Sequence, residues 1–297
     1  MSTFVVPDAL EANRGLTPVW ATWLDELPRR VADLLEEWEL TVDGATMHGF
    51  CSVVLPVRTP GGRPAVLKVG IPDPEHENEH LALQHWKGNG TVQLLRADPR
   101  RFALLLERLH TEDLRELWDL EACEIVAGLY PRLHLPALPQ LRTLSSFLEG
   151  WNDDLARLPR NAPVPRRLVE QALSLSRDFE RDESTNGRII HGDLHYYNVL
   201  AGDREPWLVI DPKPMSGDPH YEVAPMLWNR WDELDGQVRD GVRRRFHTLV
   251  DAAGFDEDRA RDWVVVRMVH NAMWAFQDGD PHQWITTCIS VAKAVQD

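Results

Sequence analysis

The apolar positions in the first third of the chain alternate in the way that β-strands require. The runs "FCSVVLPVRT" and "PAVLKVGI" are rich in β-branched residues and meet at "TPGGR", a composition typical of a tight turn, so they predict a hairpin. "PEHENEHLALQHWKG" has the composition of a helix, and "TVQLLRADPRRFALLLERL" predicts two further strands. The predicted order is strand, strand, helix, strand, strand.

The other apolar positions recur at helical spacing. Before the strands, "TPVWATWLDELPRRVADLLEEWEL" predicts two helices separated at Pro28. After His110, "EDLRELWDLEACEIVAGLYPRLHL", "RTLSSFLEGWNDDLARL" and "PRRLVEQALSLSRDFERD" are helical by period, and the last part of the chain is helical again, with breaks at Gly254 and at 278–281. Only "NVLAGDREPWLVID" interrupts them, as a second predicted hairpin.

These patterns predict an α+β fold with a small antiparallel β lobe followed by a larger, mainly helical lobe. We place the first domain at residues 1–108, with the helical prelude and the sheet, and the second at residues 109–297. The sheet is expected to have five strands, and the joint between the lobes is expected close to residues 107–110.

Composition excludes several classes of function. The 297 residues are 43% hydrophobic and 27% charged, as in an ordinary globular protein, and carry a formal net charge of −15. This charge argues against binding to nucleic acid or to an anionic membrane, since both reward Lys and Arg. We recognise no signal peptide, no membrane span and no C-x-x-C pair among the three cysteines. We therefore expect a cytoplasmic protein that binds neither nucleic acid nor a membrane, and we infer no protein partner.

The segment "HGDLHYYNVLAGDREPWLVIDPKP" concentrates polar groups around the second hairpin. Asp193 and Asn198 lie on its loop, and the predicted hairpin would return Asp211 beside Asn198. One aspartate can orient and deprotonate a hydroxyl, while an amide oxygen and a second carboxylate can bind Mg²⁺ on nucleotide phosphates. The spacing H-x-D-x-x-x-x-N, followed by an apolar strand that ends in Asp, therefore predicts phosphoryl transfer.

Lys68 interrupts the apolar strand "AVLKV", where an uncompensated ammonium group would be costly. It requires an anionic partner or a phosphate, and Glu75, Glu77 and Glu79 on the following helix are all candidates. The alternative is that Lys68 reaches solvent from an edge strand while the glutamates form an exposed helix face.

The chain contains the motifs "HGDLHYYNVL", "VIDPKP", "SVVLPV", "LKVG", "ENEHLALQHWKGNGTVQLL" and "ALLLERL", and the resemblance that they carry covers most of the chain, from about Leu16 to the last helix. In these motifs the chain resembles the aminoglycoside phosphotransferase-like kinases, in particular their streptomycin 6-kinase and hydroxyurea kinase branch, whose catalytic loop reads H-G-D. The resemblance implies a protein-kinase-like bilobal fold and an enzyme that uses ATP and Mg²⁺. It also implies that Asp193 is the catalytic base and that Asn198 and Asp211 bind the metal.

The resemblance further implies a set of nucleotide contacts. Lys68 would contact the α- and β-phosphates, and Glu79 would orient Lys68. Backbone groups at Glu107 and Leu109 would meet the adenine.

Two departures from the family pattern bear on the site. The loop expected to cover the phosphates, "DGATMHGFCSVV", contains only Gly44 and Gly49 and gives a weak signal for phosphate binding. Many relatives have Pro-Gly where this chain has Tyr196 and Tyr197. These bulkier residues are expected to reshape the acceptor side of the site.

Acidic groups beside indoles suit a cationic acceptor that carries several hydroxyls. Trp228, Asp232 and Glu233 in "MLWNRWDELDG", with Trp274 in "NAMWAFQDG", are the candidates. The resemblance implies an aminoglycoside-type antibiotic similar to streptomycin, or a hydroxyurea-like compound, as acceptor. An amino sugar or another metabolite is the alternative within the same fold.

A nucleotide-binding pseudokinase without turnover is a second alternative. Lys68, Asp193, Asn198 and Asp211, which such a protein would be expected to lose, are all present.

A metal-dependent phosphoesterase is a third alternative, because His191 and His195 in H-x-D-x-H resemble fragments of metal sites. Such an enzyme requires further His and Asp clusters, which the sequence lacks. His76, His80 and His85 lie on one predicted helix and are expected to be exposed.

Overall fold

The structure, a computed structural model, describes residues 4–234 and 236–296. Its helices are α1 (Asp8–Glu11), α2 (Pro18–Glu37), α3 (Glu79–Trp86), α4 (Asp119–Leu133), α5 (Leu144–Ala156), α6 (Arg166–Arg181), α7 (Ala224–Trp228), α8 (Val238–Ala253), α9 (Glu257–Asp278) and α10 (His282–Ala294). Its strands are β1 (Thr41–Val42), β2 (Met47–His48), β3 (Ser52–Arg58), β4 (Pro64–Gly70), β5 (Leu94–Asp98), β6 (Ala103–Glu107), β7 (Arg188–Ile190), β8 (Val199–Ala201), β9 (Trp207–Val209) and β10 (Met215–Gly217).

The chain forms two compact units. The first contains the described part of Met1–Thr111 together with Ala201–Lys213, and the second contains the described parts of Glu112–Leu200 and Pro214–Asp297. The predicted domains, 1–108 and 109–297, are each continuous in sequence. The first unit differs from the predicted first domain because it also contains the later segment 201–213.

The first unit is built on one antiparallel sheet with the order β1-β3-β4-β6-β5, and β2 also pairs with β3. The predicted hairpin of β3 and β4 is confirmed, and it closes through Gly62, whose φ of +78° suits glycine and whose N–H donates to Thr59 O at 2.8 Å. The expected count of five strands is wrong, since the described residues place six strands in this sheet. The sequence pattern missed β1 and β2 because two-residue strands show no periodicity.

One face of this sheet packs against α2. Val53, Leu55 and Val57 alternate along β3 and are at most 1% exposed, in a core that also contains the apolar face of α2. The predicted break at Pro28 is wrong, because α2 continues through it. Pro28 lies on the exposed face, and burial of Leu27 beside it offsets the loss of one helical hydrogen bond.

The second unit is mainly helical, as predicted. Its three predicted helical blocks correspond to α4, α5 and α6. The predicted breaks at Gly254 and at 278–281 are confirmed, since Gly254 and Gly279 end α8 and α9 in the left-handed conformation. The long helix α9 is buried along most of its length and brings Trp263 and Val266 into a core with Leu144 and Ile190.

These contents confirm the predicted fold class. A small antiparallel sheet with its helices precedes a larger, mainly helical part in an α+β chain. The segment predicted as a second hairpin contains the two short strands β8 and β9.

Candidate active site

Three charged side chains meet in the first unit. Lys68 Nζ donates to both carboxylate oxygens of Glu79, at 2.7 and 2.8 Å, and also contacts Asp211 Oδ1. Lys68 and Glu79 are 8% and 4% exposed, whereas the Asp211 side chain is 34% exposed. Lys68 therefore has the anionic partners that its strand requires, and Glu79 is the partner among the candidate glutamates. The alternative in which Lys68 reaches solvent is wrong.

Local geometry explains how these side chains come together. Strand alternation places Lys68 on the face of β4 opposite Leu67 and Val69, which share the core with α2. Glu79 is the first residue of α3, where the unpaired N–H groups of the first turn favour a carboxylate. Asp211 follows β9 with a φ of +57°, a left-handed conformation that Asp tolerates better than most residues do.

The opposite charges of these three side chains shift one another's pKa values. Burial alone would lower the pKa of Lys68, but the carboxylates of Asp211 and Glu79 outweigh burial and raise it. Burial also works against the Asp211 carboxylate, yet the Lys68 ammonium outweighs it and holds the pKa of Asp211 well below its ordinary value. For Glu79 burial dominates, and its pKa rises to about 7. Lys68 and Asp211 are therefore both charged at neutral pH.

The loop of the second unit that carries Asp193 is fixed through its backbone. Gly192 has a φ of +83°, which turns the chain sharply between His191 and Asp193. The Asp193 N–H donates to His191 Nδ1 at 3.2 Å, and Asn198 Nδ2 donates to the Asp193 carbonyl at 2.9 Å. His191 therefore braces the backbone, and Asp193 and Asn198 lie together.

Two residues that the sequence analysis did not select also hold this loop. The fully buried carboxylate of Glu222 accepts the N–H groups of His191 and Gly192, at 3.1 and 2.7 Å. The guanidinium of Arg267 donates to the Gly192 carbonyl at 2.6 Å. Arg267 interrupts the apolar run "WVVVRMV" as Lys68 interrupts its strand, so the same argument about buried charge could have found it.

Burial would raise the pKa of Glu222, but several neighbours outweigh it. The nearby His134 side chain, His191 and the Gly192 N–H together lower the pKa of this carboxyl. Glu222 therefore carries a negative charge and can accept both N–H groups of the loop.

The carboxylate of Asp193 lies beside a histidine. Its side chain is 22% exposed, and His195 Nε2 lies 3.8 Å from Asp193 Oδ2 with its own side chain 16% exposed. His195 Nδ1 accepts the Tyr197 N–H at 3.3 Å, and Tyr197 is exposed whereas Tyr196 is fully buried. Of the two bulky residues that depart from the family pattern, only Tyr197 therefore presents its ring to solvent.

The two predicted adenine contacts lie in and after β6 of the first unit. The Glu107 N–H donates to Gln93 O at 2.9 Å, and its carboxylate accepts from the Gln93 N–H at 2.8 Å. Arg204 pairs with the same carboxylate at 2.7 Å. The Glu107 side chain is therefore occupied, so a role toward adenine would fall on backbone groups. Leu109 follows two residues later.

The acidic acceptor candidates of the second unit are exposed. Asp232 and Glu233 lie on a short 3-10 helix, Trp231–Leu234, and Glu233 pairs with Arg230 at 2.6 Å. The Arg230 side chain is only 8% exposed and donates to both carboxylate oxygens of Glu233, so a cationic ligand would compete with a bidentate ion pair.

The tryptophan candidates lie in separate aromatic groups. The Trp228 ring is 6.0 Å from Trp284 and 5.1 Å from the Arg267 guanidinium. The Trp274 ring is 5.1 Å from Trp151. Within residues 4–234 and 236–296, no ring contact, hydrogen bond or ion pair joins any two of the four acceptor candidates, so their role stays a prediction.

The expectation that His76, His80 and His85 are exposed on one helix is wrong. His76 precedes α3, and all three side chains are partly buried. The described part of the chain contains no group of three or more His, Cys, Asp or Glu side chains that could hold a metal ion.

The sheet with a buried Lys-Glu pair and the helical unit with its H-G-D loop define a protein-kinase-like phosphotransferase. The crystal structure of aminoglycoside phosphotransferase APH(4)-Ia matches 90% of this chain and 98% of its own, with a TM-score of 0.62 and 19% identity, which shows the fold. The family model described as aminoglycoside/hydroxyurea antibiotic resistance kinase matches residues 37–279. The chain belongs to this family.

Relatives in the same family are similar along most of their length. A streptomycin 6-kinase of Streptomyces glaucescens is 39% identical over 285 residues, which are 92% of each chain. A hydroxyurea phosphotransferase of Kitasatospora aureofaciens is 40% identical over 268 residues, 87% of this chain and 76% of the relative. The predicted enzyme class, a phosphotransferase that acts on an alcohol group of a small molecule, is confirmed. Separately, no helix of the described residues is long and apolar enough to cross a membrane.

Proposed function

We propose that this protein transfers the γ-phosphoryl group of ATP, with Mg²⁺, to a hydroxyl of an aminoglycoside-type antibiotic similar to streptomycin, or of a hydroxyurea-like acceptor. The observation that carries the proposal is the buried contact of Lys68 with Glu79 and Asp211. A cluster of this kind would hold an ammonium group ready for phosphate and a carboxylate ready for a metal ion. The family and the named relatives support the class of acceptor.

In the first unit, Lys68 would contact the α- and β-phosphates, and Glu79 would keep its ammonium in place. The raised pKa of Lys68 keeps this charge at neutral pH. Backbone groups of Glu107 and Leu109 would meet the adenine. We accordingly propose residues 1–108 as the nucleotide-binding domain and 109–297 as the domain with the catalytic loop and the acceptor site.

The donor groups fit Mg²⁺, which prefers oxygen ligands. The lowered pKa of Asp211 keeps this partly exposed side chain ionised. Asn198 uses Nδ2 on the Asp193 carbonyl, so Oδ1 is the atom that would bind the ion. When bound, Mg²⁺ would neutralise negative charge on the phosphates.

In the second unit, Asp193 would act as the general base. The acceptor oxygen forms a bond to the γ-phosphorus while the bond from that phosphorus to the oxygen of the leaving ADP breaks. The proton of the acceptor hydroxyl passes to the Asp193 carboxylate, and the products are ADP and the phosphorylated acceptor. The fixed backbone on both sides of Asp193 supports this role, because a general base must be held in place.

Exposed acids and partly buried indoles of the second unit are proposed to receive the acceptor. Asp232 and Glu233 would pair with its cationic groups, and Trp228 and Trp274 would stack on them. The relative that phosphorylates hydroxyurea, at 40% identity, favours a hydroxyurea-like compound as the second candidate acceptor. Such a compound carries no permanent cation and would depend less on the acids.

A coupled assay of ADP release tests the proposal, with streptomycin, hygromycin B, glucosamine and hydroxyurea each offered with Mg-ATP. We expect ADP release with streptomycin or hydroxyurea, and a product whose mass shows one added phosphoryl group. Transfer only to glucosamine would support a metabolite kinase instead. Tight ATP binding without transfer to any acceptor would support a pseudokinase and contradict the proposal, as would turnover of phosphate esters without ATP.

A further inference from the structure

The ring of Tyr197 lies at the surface beside the proposed base. It is 41% exposed, whereas the preceding Tyr196 is fully buried. The Tyr197 N–H donates to His195 Nδ1 at 3.3 Å, and the two rings meet edge to face with their centroids 5.5 Å apart. His195 Nε2 in turn lies 3.8 Å from Asp193 Oδ2. The Tyr197 ring is therefore linked to the carboxylate of the proposed base through a single imidazole ring.

Although it is exposed, the Tyr197 ring is held in place. The guanidinium of Arg115 lies over it, 4.7 Å from the ring centroid, in a cation–π contact. Arg115 is itself fixed by Asp113, because Arg115 Nε donates to both carboxylate oxygens at 2.9 and 2.8 Å and Nη2 lies 2.7 Å from Oδ2. The Asp113 side chain is 6% exposed. The surface ring therefore rests on an anchored ion pair.

The fold does not account for a held ring at this position. Tyr196 packs in the interior, whereas the exposed ring of Tyr197 forgoes part of the free energy that burial of an aromatic side chain supplies. Many relatives have glycine in place of Tyr197, so a catalytic loop of this type does not need a ring there. An exposed ring that is already fixed suits ligand binding, because little conformational entropy is lost when a ligand covers it.

Position and charge together indicate which part of the acceptor covers the ring. A group seated on Tyr197 lies next to Asp193, so it belongs to the part of the acceptor that carries the reacting hydroxyl. The guanidinium of Arg115 lies on the ring itself and does not attract a second cation. A neutral carbon ring with hydroxyls, as in a sugar or a cyclitol, presents C–H groups that an aromatic side chain can cover.

We propose that Tyr197 determines acceptor specificity by stacking on the neutral, hydroxyl-bearing ring of the acceptor, and that Arg115 is a positioning residue for Tyr197. This inference rests on the proposed function, since it places the ring of the acceptor beside the proposed base. The contact is the same before and during phosphoryl transfer, so it acts on acceptor binding and not on the chemical step.

Substitutions at Tyr197 test the contact, with streptomycin as the acceptor. Tyr197→Ala should raise the KM for streptomycin by about tenfold, because the covered area is lost, while kcat stays within about threefold of wild type. The KM for ATP and the Tm should stay close to wild type, since the ring is exposed. Tyr197→Phe keeps the ring and should stay within about threefold of wild type in both constants for streptomycin. Leu16→Ala removes an exposed apolar side chain of the first unit, is the matched control and should behave as wild type.

A double-mutant cycle tests the role of Arg115. Arg115→Lys keeps the positive charge but not the planar group that lies on the ring. It should raise the KM for streptomycin in the wild-type protein and have no further effect in the Tyr197→Ala background, because the two residues act through one contact. Additive effects of the two substitutions would show that Arg115 acts on the acceptor directly and would overturn its role as a positioning residue.

Wild-type KM for streptomycin in Tyr197→Ala would overturn the inference, as would an equal rise in Tyr197→Phe or an equal rise in the KM for ATP. Transfer by the wild type to hydroxyurea alone would keep the proposed function and overturn this inference, because hydroxyurea has no carbon ring. Transfer to glucosamine alone would contradict the proposed function, and Tyr197→Ala must then raise the KM for glucosamine. If no acceptor is phosphorylated, calorimetric titrations compare the binding of streptomycin without ATP, and Tyr197→Ala must bind it about tenfold more weakly than wild type.

Discussion

The two units hold their candidate residues by different means. In the first unit, Lys68, Glu79 and Asp211 bind one another through opposite charges. In the second unit, hydrogen bonds to the loop backbone fix Asp193, while its carboxylate remains partly exposed. Mutual charge thus holds the side chains of the first unit, whereas backbone hydrogen bonds hold the loop of the second.

This difference matches the chemistry proposed for each unit. Phosphate binding requires an ammonium group that stays charged although buried, and nearby carboxylates provide that. Proton transfer requires a carboxylate that is held in place near the acceptor hydroxyl, and the hydrogen bonds on both sides of Asp193 fix its backbone. Substitutions on the two sides should therefore fail in different ways.

The largest expected difference is between the two aspartates. Asp193→Ala should keep ATP affinity but lose turnover by about 10²- to 10⁴-fold, the range typical for loss of a general base. Asp211→Ala should lose Mg²⁺-dependent ATP binding as well, because an uncompensated triphosphate would then bind to a chain of net charge −15. Calorimetric ATP titrations with and without Mg²⁺, beside initial rates, measure both effects.

Thermal unfolding of both aspartate variants is the control, since each must remain folded for the comparison to hold. Near-normal turnover in Asp193→Ala would show that Asp193 is not the general base. Unchanged Mg²⁺-dependent binding in Asp211→Ala would remove the assignment of the metal ligand.

The sequence predicted these two regions to different depths. The cost of burying an ammonium in "AVLKV" predicted a partner for Lys68, and the spacing of the loop motif predicted Asp193 with Asn198, because both signals are local. Glu222 and Arg267 reach the loop from residues 30 and 75 positions away. Their contacts depend on how the elements of the second unit pack together, and the local sequence pattern around each residue does not predict this packing.

Other errors arose where tertiary packing outweighed a local rule. Pro28 predicted a break, yet the buried face of α2 carries the helix through it. His76 has a polar pattern around it, yet its Nδ1 is buried without a hydrogen-bond partner among the described residues.

The next largest effect concerns the stability of the first unit. Lys68→Met should lower the free energy of unfolding by about 3–5 kcal/mol, because it strands the buried carboxylate of Glu79. The double variant Lys68→Met, Glu79→Leu should recover most of this loss, since a buried ion pair can be replaced by apolar side chains. Urea unfolding of wild type, single and double variants measures the difference. A double variant no more stable than the single one would mean that Glu79 is not the stranded group.

Acid should affect two buried groups, His270 and Glu79, with opposite sign. Burial lowers the pKa of His270 in α9 to about 4. As the pH falls from about 6.5 to 4, this histidine therefore binds a proton in the unfolded chain but stays neutral in the folded chain. This should cost about 3 kcal/mol at pH 4 relative to pH 7. For Glu79, whose pKa is raised to about 7, the folded chain binds the extra proton and gains stability as the pH falls toward 4.5.

His270→Phe keeps a ring beside Trp274 and removes the titrating group. Its unfolding free energy should fall less than that of wild type between pH 6.5 and 4. Hydrogen exchange of α9 amides over this range locates the effect in the second unit. Equal pH dependence of wild type and variant would show that His270 is not the group that responds.

The smallest expected effect tests whether the loop of the second unit is held as described. Glu222→Gln replaces one carboxylate oxygen by an amide that cannot accept, so one of the two N–H groups of His191 and Gly192 loses its partner in a fully buried place. An unsatisfied buried donor costs about 1–3 kcal/mol, and kcat should fall with stability while ATP affinity is retained. Tyr130→Phe is the matched control, because it removes a hydrogen bond to the Glu222 carbonyl and leaves both loop contacts intact. If Glu222→Gln weakened ATP binding as much as turnover, the loop of the second unit and the charge cluster of the first would not be supported independently.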